Sequence, residues 1–288
     1  MRIHVIFATT GRAEVLGKVI RRLTDQTRLP DGVLVVGTCP ADVAGVEGAY
    51  PHLQILLTAK GLCHQRNAGL AALGDKGDVV VFFDDDFVPA HDFLEQVEAL
   101  MTADTGIVGL TGQLVRDGAQ TGSLGFEEAV HQLDVQQERP PAGEARTAWL
   151  YGCNMAIRLS ANPQLRFDEA LPLYGWQEDV DFSSRLAQHG RLYRTAALTG
   201  IHLGVRGGRT SGLRLGYSQI ANVIYLRRKG TIRFLHGWRI LTCNVLANVA
   251  GSLTPSPPVD RRGRLKGNLL AMRDLTSGRI DPRRVLGL

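Results

Sequence analysis

The 288-residue sequence predicts an α/β fold built on a mostly parallel central sheet covered on both faces. Three observations carry this. Short apolar, β-branched runs alternate with segments whose apolar residues recur at helical spacing through the first half of the chain. The runs are near-continuous rather than alternating, as expected of strands buried on both sides. A hydrophobic content of 44% supplies enough material for one large core, and 21% charged residues exclude a disordered chain.

Taken in order, Ile3–Ala8 reads as a buried strand. Val15, Leu16, Val19, Ile20 and Leu23 then form one apolar helical face. Val33–Val36 and Leu53–Leu57 are the next strands, and Gly61–Leu73 is a short helix rich in small residues. Asp78–Phe83 is a fourth strand. Phe93, Leu94, Val97, Leu100 and Met101 mark another amphipathic helix, with Pro89 near its start. Ile107–Leu110 and Thr111–Val115 begin shorter elements, and 117–146 reads as a loop or lid. Trp149–Ile157 is a strand, Glu178–His189 a helix closed by Gly190, and Arg191–Thr195 a strand. From Leu213 onward the chain reads helical. Phe234, Trp238, Leu241, Val245 and Val249 form one apolar stripe, Ser256-Pro257-Pro258 breaks the run, and a basic segment closes the chain. The expected division is a catalytic domain over 1–210 and a helical, basic C-terminal extension over 211–288.

Charge is unevenly placed. Residues 201–288 hold 16 Lys and Arg against 3 Asp and Glu, while residues 1–200 hold 17 basic and 25 acidic side chains. Such a basic segment suits an anionic surface or merely a solvated face. Nucleic acid is not expected as a partner. The apolar stretch Phe234–Leu253 is long enough for a bilayer, but His236, Arg239, Asn244 and Asn248 interrupt it, so a buried or interfacial helix is expected. Cys39, Cys63, Cys153 and Cys243 have neither zinc nor redox spacing, and the N-terminus does not read as a signal peptide. A cytoplasmic protein is expected, with peripheral contact on the inner face of the membrane as a further possibility.

The most informative stretch is Phe82-Phe83-Asp84-Asp85-Asp86. Ligands in open α/β sheets bind at the carboxyl ends of strands. Three carboxylates clustered there repel one another unless a cation offsets them, and oxygen ligands suit Mg²⁺ or Mn²⁺. Asp84 and Asp86 are two apart, so a tight turn can aim both at one ion. Glu178 and Asp179 open a helix, where the dipole stabilises negative charge. Either could cap that helix or supply the general base that a hydroxyl acceptor requires. His202 is a candidate third metal ligand, and Arg206 and Arg209 are candidate phosphate partners.

These segments together resemble the inverting GT-A glycosyltransferases of family 2, over about residues 1–210. The matching stretches are Val5-Ile6-Phe7-Ala8-Thr9-Thr10-Gly11-Arg12, Gln65-Arg66-Asn67-Ala68-Gly69, Val81 through Asp86, Tyr151-Gly152-Cys153-Asn154-Met155-Ala156, and Glu178 through Leu186. The resemblance implies a GT-A, Rossmann-like fold and a nucleotide-sugar donor held by Thr9, Gly11, Arg66, Asp84, Asp85 and Asp86. It implies a metal on Asp86 and His202. It places Gly152, Asn154, Trp176 and Glu178 by the transferred sugar or acceptor, with Asp179 as catalytic base. The acceptor would be a glycan or a polyprenyl-diphosphate-linked sugar, as in exopolysaccharide or other cell-surface glycan synthesis. Many members carry an acidic residue just after the second strand. Here that stretch reads Val36-Gly37-Thr38-Cys39-Pro40, with Asp42 further along. Two other readings use the same residues. One is a haloacid dehalogenase-like phosphatase, in which the first Asp of an Asp-x-Asp-x-Val pattern, here Asp84, is the nucleophile. The other is an inactive sugar- or membrane-binding module. A dehydrogenase is disfavoured, because no GxGxxG follows the first strand.

Overall fold

The computed structural model describes residues 1–135, 144–205, 207, 210–253 and 259–288. The chain divides into two compact units. The first comprises residues 1–60, 64–166 and 185–208, and the second residues 61–63, 167–184 and 209–288.

The first unit contains a sheet with nine strands among the described residues. In chain order they are β1 (Ile3–Ala8), β2 (Gly32–Gly37), β3 (Leu53–Leu57), β4 (Val79–Asp84), β5 (Phe87–Pro89), β6 (Ile107–Asp117), β7 (Glu144–Arg146), β8 (Asn154–Arg158) and β9 (Arg191–His202). The sheet order is β3-β2-β1-β4-β8-β6-β9-β5, with β7 added on β9. The half from β3 to β4 is parallel throughout. β8 then runs antiparallel to both β4 and β6. The sheet is the GT-A arrangement, a parallel half extended by mixed strands. Helices α1 (Ala13–Arg22) and α3 (Phe93–Ala103) bury the apolar positions that periodicity assigns them: Leu16, Val19 and Ile20, and Phe93, Leu94, Val97 and Met101. They pack into one core with Val5, Phe7, Val81 and Phe83. Helix α2 (Leu62–Leu73) follows β3. Its Gly69 lies where a Cβ would come within 2.8 Å of Ile6, so a larger residue there would push the helix off β1.

Four expectations change. Residues 107–117 form one long strand rather than two short elements, with register shifts against β9. The stretch 117–146 is not all loop: α4 (Gly118–Thr121), α5 (Phe126–Val135) and β7 lie in it, and residues 136–143 fall outside the described residues. Amphipathic α5 buries Ala129 and Leu133, a pattern that the polar composition of the segment concealed. The strand expected from Trp149 starts only at Asn154. Before it the chain turns, with Asn154 N–H donating to the Tyr151 carbonyl at 3.0 Å. Finally, β9 continues seven residues beyond Thr195 and ends on His202.

The second unit is helical. Helices α7 (Gly212–Lys229), α8 (Phe234–Leu253) and α9 (Arg261–Thr276) pack around Tyr217, Ile220, Val223, Leu241 and Ala271. Ser211 caps α7 and Asp260 caps α9, each accepting a backbone N–H in the first turn. The closing basic segment is therefore a capped helix. Helix α6 (Glu178–Leu186) begins in this unit. No helix among the described residues is long and apolar enough to cross a membrane.

Candidate active site

β4 delivers the Asp triplet to the carboxyl end of the parallel half-sheet, and the tight turn between β4 and β5 separates the three carboxylates. Asp85 points inward. Its Oδ2 accepts the Thr9 hydroxyl at 2.7 Å, and its Oδ1 accepts Arg12 at 2.7 Å. Burial and the adjacent Asp86 push Asp85 up, to about 6, against the pull of Arg12. Asp84 and Asp86 face a common point with His202, and one ligand atom from each lies within 4.8 Å of the others.

Asp86 is 1% exposed. Its Oδ2 accepts the Val205 N–H at 2.7 Å, and its Oδ1 lies 3.2 Å from His202 Nε2 and 3.3 Å from Arg12. Burial alone would raise Asp86, but hydrogen bonding to His202 and the charges of His202 and Arg12 hold it below the usual carboxylate range. Burial would likewise lower His202. Hydrogen bonds to Asp117 and Asp86 win and push it up to about 10. Without a metal, then, a protonated imidazole and a guanidinium neutralise the cluster.

Two carboxylates and an imidazole are a fitting donor set for a divalent cation of the Mn²⁺ or Mg²⁺ type. A ligating histidine normally donates its other ring N–H to a carboxylate, which fixes its orientation. Asp117 is placed for this, with Oδ1 2.9 Å from His202 Nδ1. The approach depends on two glycines. A Cβ on Gly118 would come within 2.2 Å of the Leu203 carbonyl oxygen, and Gly204 adopts φ +71 against Gly118.

Arg66 is almost wholly buried. It donates to the Gly152 carbonyl at 2.7 Å, reaches Asp84 at 3.3 Å, and lies 5.5 Å from the Phe82 ring centroid. Gly11 N–H donates to Asp42 at 2.7 Å. Asp42 also accepts from the Thr38 N–H and hydroxyl and from the Cys39 N–H, so this carboxylate braces the loops after β1 and β2. Asn154 is fully buried, and its side-chain Oδ1 accepts from the Thr111 hydroxyl and the Gly112 N–H. The first unit thus gathers Thr9, Gly11, Arg66, Asp84, Asp85, Asp86, Gly152, Asn154 and His202.

Trp176, Glu178 and Asp179 belong to the second unit. Gly175 and Gln177 both take positive φ, 67 and 70, in the turn that starts α6. The Trp176 carbonyl accepts from Asn222 at 3.0 Å. Glu178 is buried, and its N–H donates to the Gly175 carbonyl at 2.7 Å. Asp179 is half-buried and accepts the N–H of the next residue, Val180, at 2.8 Å. The nearby Asp181 is fully buried and fastened to Lys229 and Thr231. Arg206 and Arg209 lie outside the described residues.

Sequence reasoning assigned no role to Arg12 or Asp117. Arg12 carried a signal, since it lies in the loop after β1 at a strand's carboxyl end. Asp117 carried none, being 85 residues from the histidine it touches.

A parallel half-sheet ending in clustered carboxylates and a histidine, extended by mixed strands, is a GT-A fold. Residues 4–158, more than half of the chain, match the model of glycosyl transferase family 2, and the protein belongs to that family. This answers the phosphatase alternative. Over 97 residues the sequence is 30% identical to the uncharacterized glycosyltransferase YwdF of Bacillus subtilis (strain 168). That match covers 32% of this chain and only 35% of the relative. Two solved structures share the fold. TarS 1–349 of S. aureus superposes with a TM-score of 0.59 at 16% identity, over 99% of this chain and 82% of that one. The mannosyltransferase PcManGT from Pyrobaculum calidifontis, solved with GDP-Man and Mn²⁺, gives 0.56 at 17% identity, over 99% and 85%.

Proposed function

We propose that this protein transfers a sugar from a nucleotide-sugar to an acceptor hydroxyl with inversion, in a reaction that depends on Mn²⁺ or Mg²⁺. The observation that carries the reading is the convergence of Asp84, Asp86 and His202 at the carboxyl end of β4. These residues would hold the metal, with Asp117 orienting His202. A bound cation would offset the charge that develops on the departing nucleoside diphosphate. Thr9, Gly11, Arg66 and Asp85 shape the donor site, and Arg206 and Arg209 are assigned to its phosphates. Gly152, Asn154, Trp176 and Glu178 are assigned to the sugar and acceptor. Asp179 takes the acceptor proton as that oxygen attacks the anomeric carbon opposite the leaving group. The catalytic domain is assigned to 1–210 and the helical extension to 211–288. The acceptor is a glycan or polyprenyl-diphosphate-linked sugar of cell-surface glycan synthesis, reached by peripheral contact with the cytoplasmic face of a membrane.

The test is thermal stability across a panel of nucleotide-sugars with and without Mn²⁺, since a ligand that binds the folded state raises apparent stability by mass action. One base and sugar should raise Tm only when Mn²⁺ is present. A flat response over the whole panel rejects the reading, and binding without turnover over a broad acceptor panel leaves an inactive sugar-binding module. Asp117→Asn should weaken Mn²⁺ binding about tenfold or more, as loss of a ligand's outer partner does. Mn²⁺ titration followed by electron paramagnetic resonance measures this, and an unchanged Kd removes Asp117 from the site.

A further inference from the structure

Helix α8 turns an asparagine inward beside Leu241 and leaves several large apolar side chains exposed. Its inner face presents Gly237, Leu241 and Asn248 to the helical unit. Asn248 is fully buried and donates to both Gln219 and Asn268 at 2.8 Å. Gln219 donates in turn to Asn244 at 2.8 Å, Arg261 to Asn248 at 3.1 Å, and Asn268 to the Gly216 carbonyl at 2.7 Å. Rotating α8 to bury its leucines would strand these amides without partners, so the network fixes which face looks outward.

The outward face carries Leu235, Trp238, Leu246, Val249 and Leu253 on one helical stripe. Leu235, Leu246 and Leu253 are 80%, 67% and 77% exposed. This corrects the stripe read from the sequence, because Leu241 points inward and Val245 is half-buried. Cations bracket the face. Exposed Arg233 and Arg239 lie at its amino end, and Arg227 stacks 4.3 Å from the Phe234 ring. At the carboxyl end Arg262 donates to the Ser252 carbonyl at 3.3 Å. No Asp or Glu occurs between Asp181 and Asp260. Of the three carboxylates that follow, Asp260 and Asp281 cap helices and Asp274 is buried against Tyr217 and Arg284.

We infer that α8 docks in the headgroup boundary of an anionic lipid bilayer, with Leu235, Trp238, Leu246, Val249 and Leu253 inserted and Arg233, Arg239 and Arg262 on lipid phosphates. An apolar stripe lined by arginine and tryptophan matches an interfacial helix. A second copy of the chain fits poorly, since a two-fold contact would place like charges together. The inference rests on the proposed lipid-linked acceptor and deepens it by naming the docking surface.

The test is flotation of the full chain with vesicles of phosphatidylcholine alone or mixed with phosphatidylglycerol. Binding is expected only with the anionic vesicles and should weaken with salt. Each arginine near such a surface contributes about fivefold, so R233Q/R239Q/R262Q should lower partitioning on the order of a hundredfold. L235S/W238S/L246S should abolish it at low salt, with an unchanged circular dichroism spectrum. Equal binding to neutral vesicles, or none to anionic ones, overturns the inference. So does a dimer in light scattering that the L235S/W238S/L246S variant dissolves. Turnover with a soluble acceptor but no vesicle binding defeats the docking surface alone. Vesicle binding without any nucleotide-sugar binding defeats the transferase reading alone.

Discussion

Asp179→Asn is expected to lower kcat by about a hundredfold or more while leaving donor affinity nearly unchanged. The amide cannot accept the acceptor proton at neutral pH. It retains a carbonyl oxygen for the Val180 N–H that Asp179 now holds at 2.8 Å, so the start of α6 should survive. Steady-state turnover with the donor and acceptor, alongside calorimetric donor binding, separates the two effects. A kcat within a few-fold of the parent would falsify the assignment of Asp179 as base. Asp181 is the natural control. Its carboxylate is fully buried and accepts from Lys229 and Thr231, so its loss leaves those donors without it and should appear first in Tm.

Removal of the metal should have the largest effect of all. Excess EDTA is expected to abolish turnover and Mn²⁺ to restore it, and Asp86→Asn should not be rescued at ordinary Mn²⁺ concentrations. Asn is preferred to Ala here. Asp86 is buried against Arg12, His202 and the Val205 N–H, and truncation to Ala would leave those donors unpaired as well as removing a ligand. Full activity in EDTA rejects metal dependence outright. The same site sets a pH dependence. Metal ligation needs a neutral imidazole, and Asp117 and Asp86 hold the His202 proton on up to about pH 10. Mn²⁺ binding must therefore release a proton and should tighten as pH rises from 6 to 8. The stability that protonated His202 lends the metal-free protein runs the other way. It is complete below the unfolded value near 6.5 and declines progressively until pH passes about 10, so it is already falling over the upper part of that range.

The order of strands and helices in the parallel half was legible because its signals are local. Continuous apolar runs at Ile3–Ala8 and Val79–Asp84 and helical spacing at Leu16, Val19 and Ile20 each sit within about ten residues. The amphipathic α5 was missed because polar residues outweigh its two buried positions.

The sequence by itself determined the fold class, the family resemblance, the acidic triplet with His202 as its companion, and the excess of positive charge after residue 200. Tertiary structure alone decided how the triplet is divided. Asp85 turns inward to Thr9 and Arg12, while Asp84 and Asp86 share a point with His202, because β9 extends beyond its predicted end to carry that histidine there. It alone joined Asp117 to His202 across 85 residues. It alone set the outward face of α8, where five apolar positions and two asparagines compete for burial along one helix. Hydrophobicity favours burying the leucines. The amides prevail because Gln219, Asn268 and Arg261 arrive from other helices to satisfy them, and no local pattern records that.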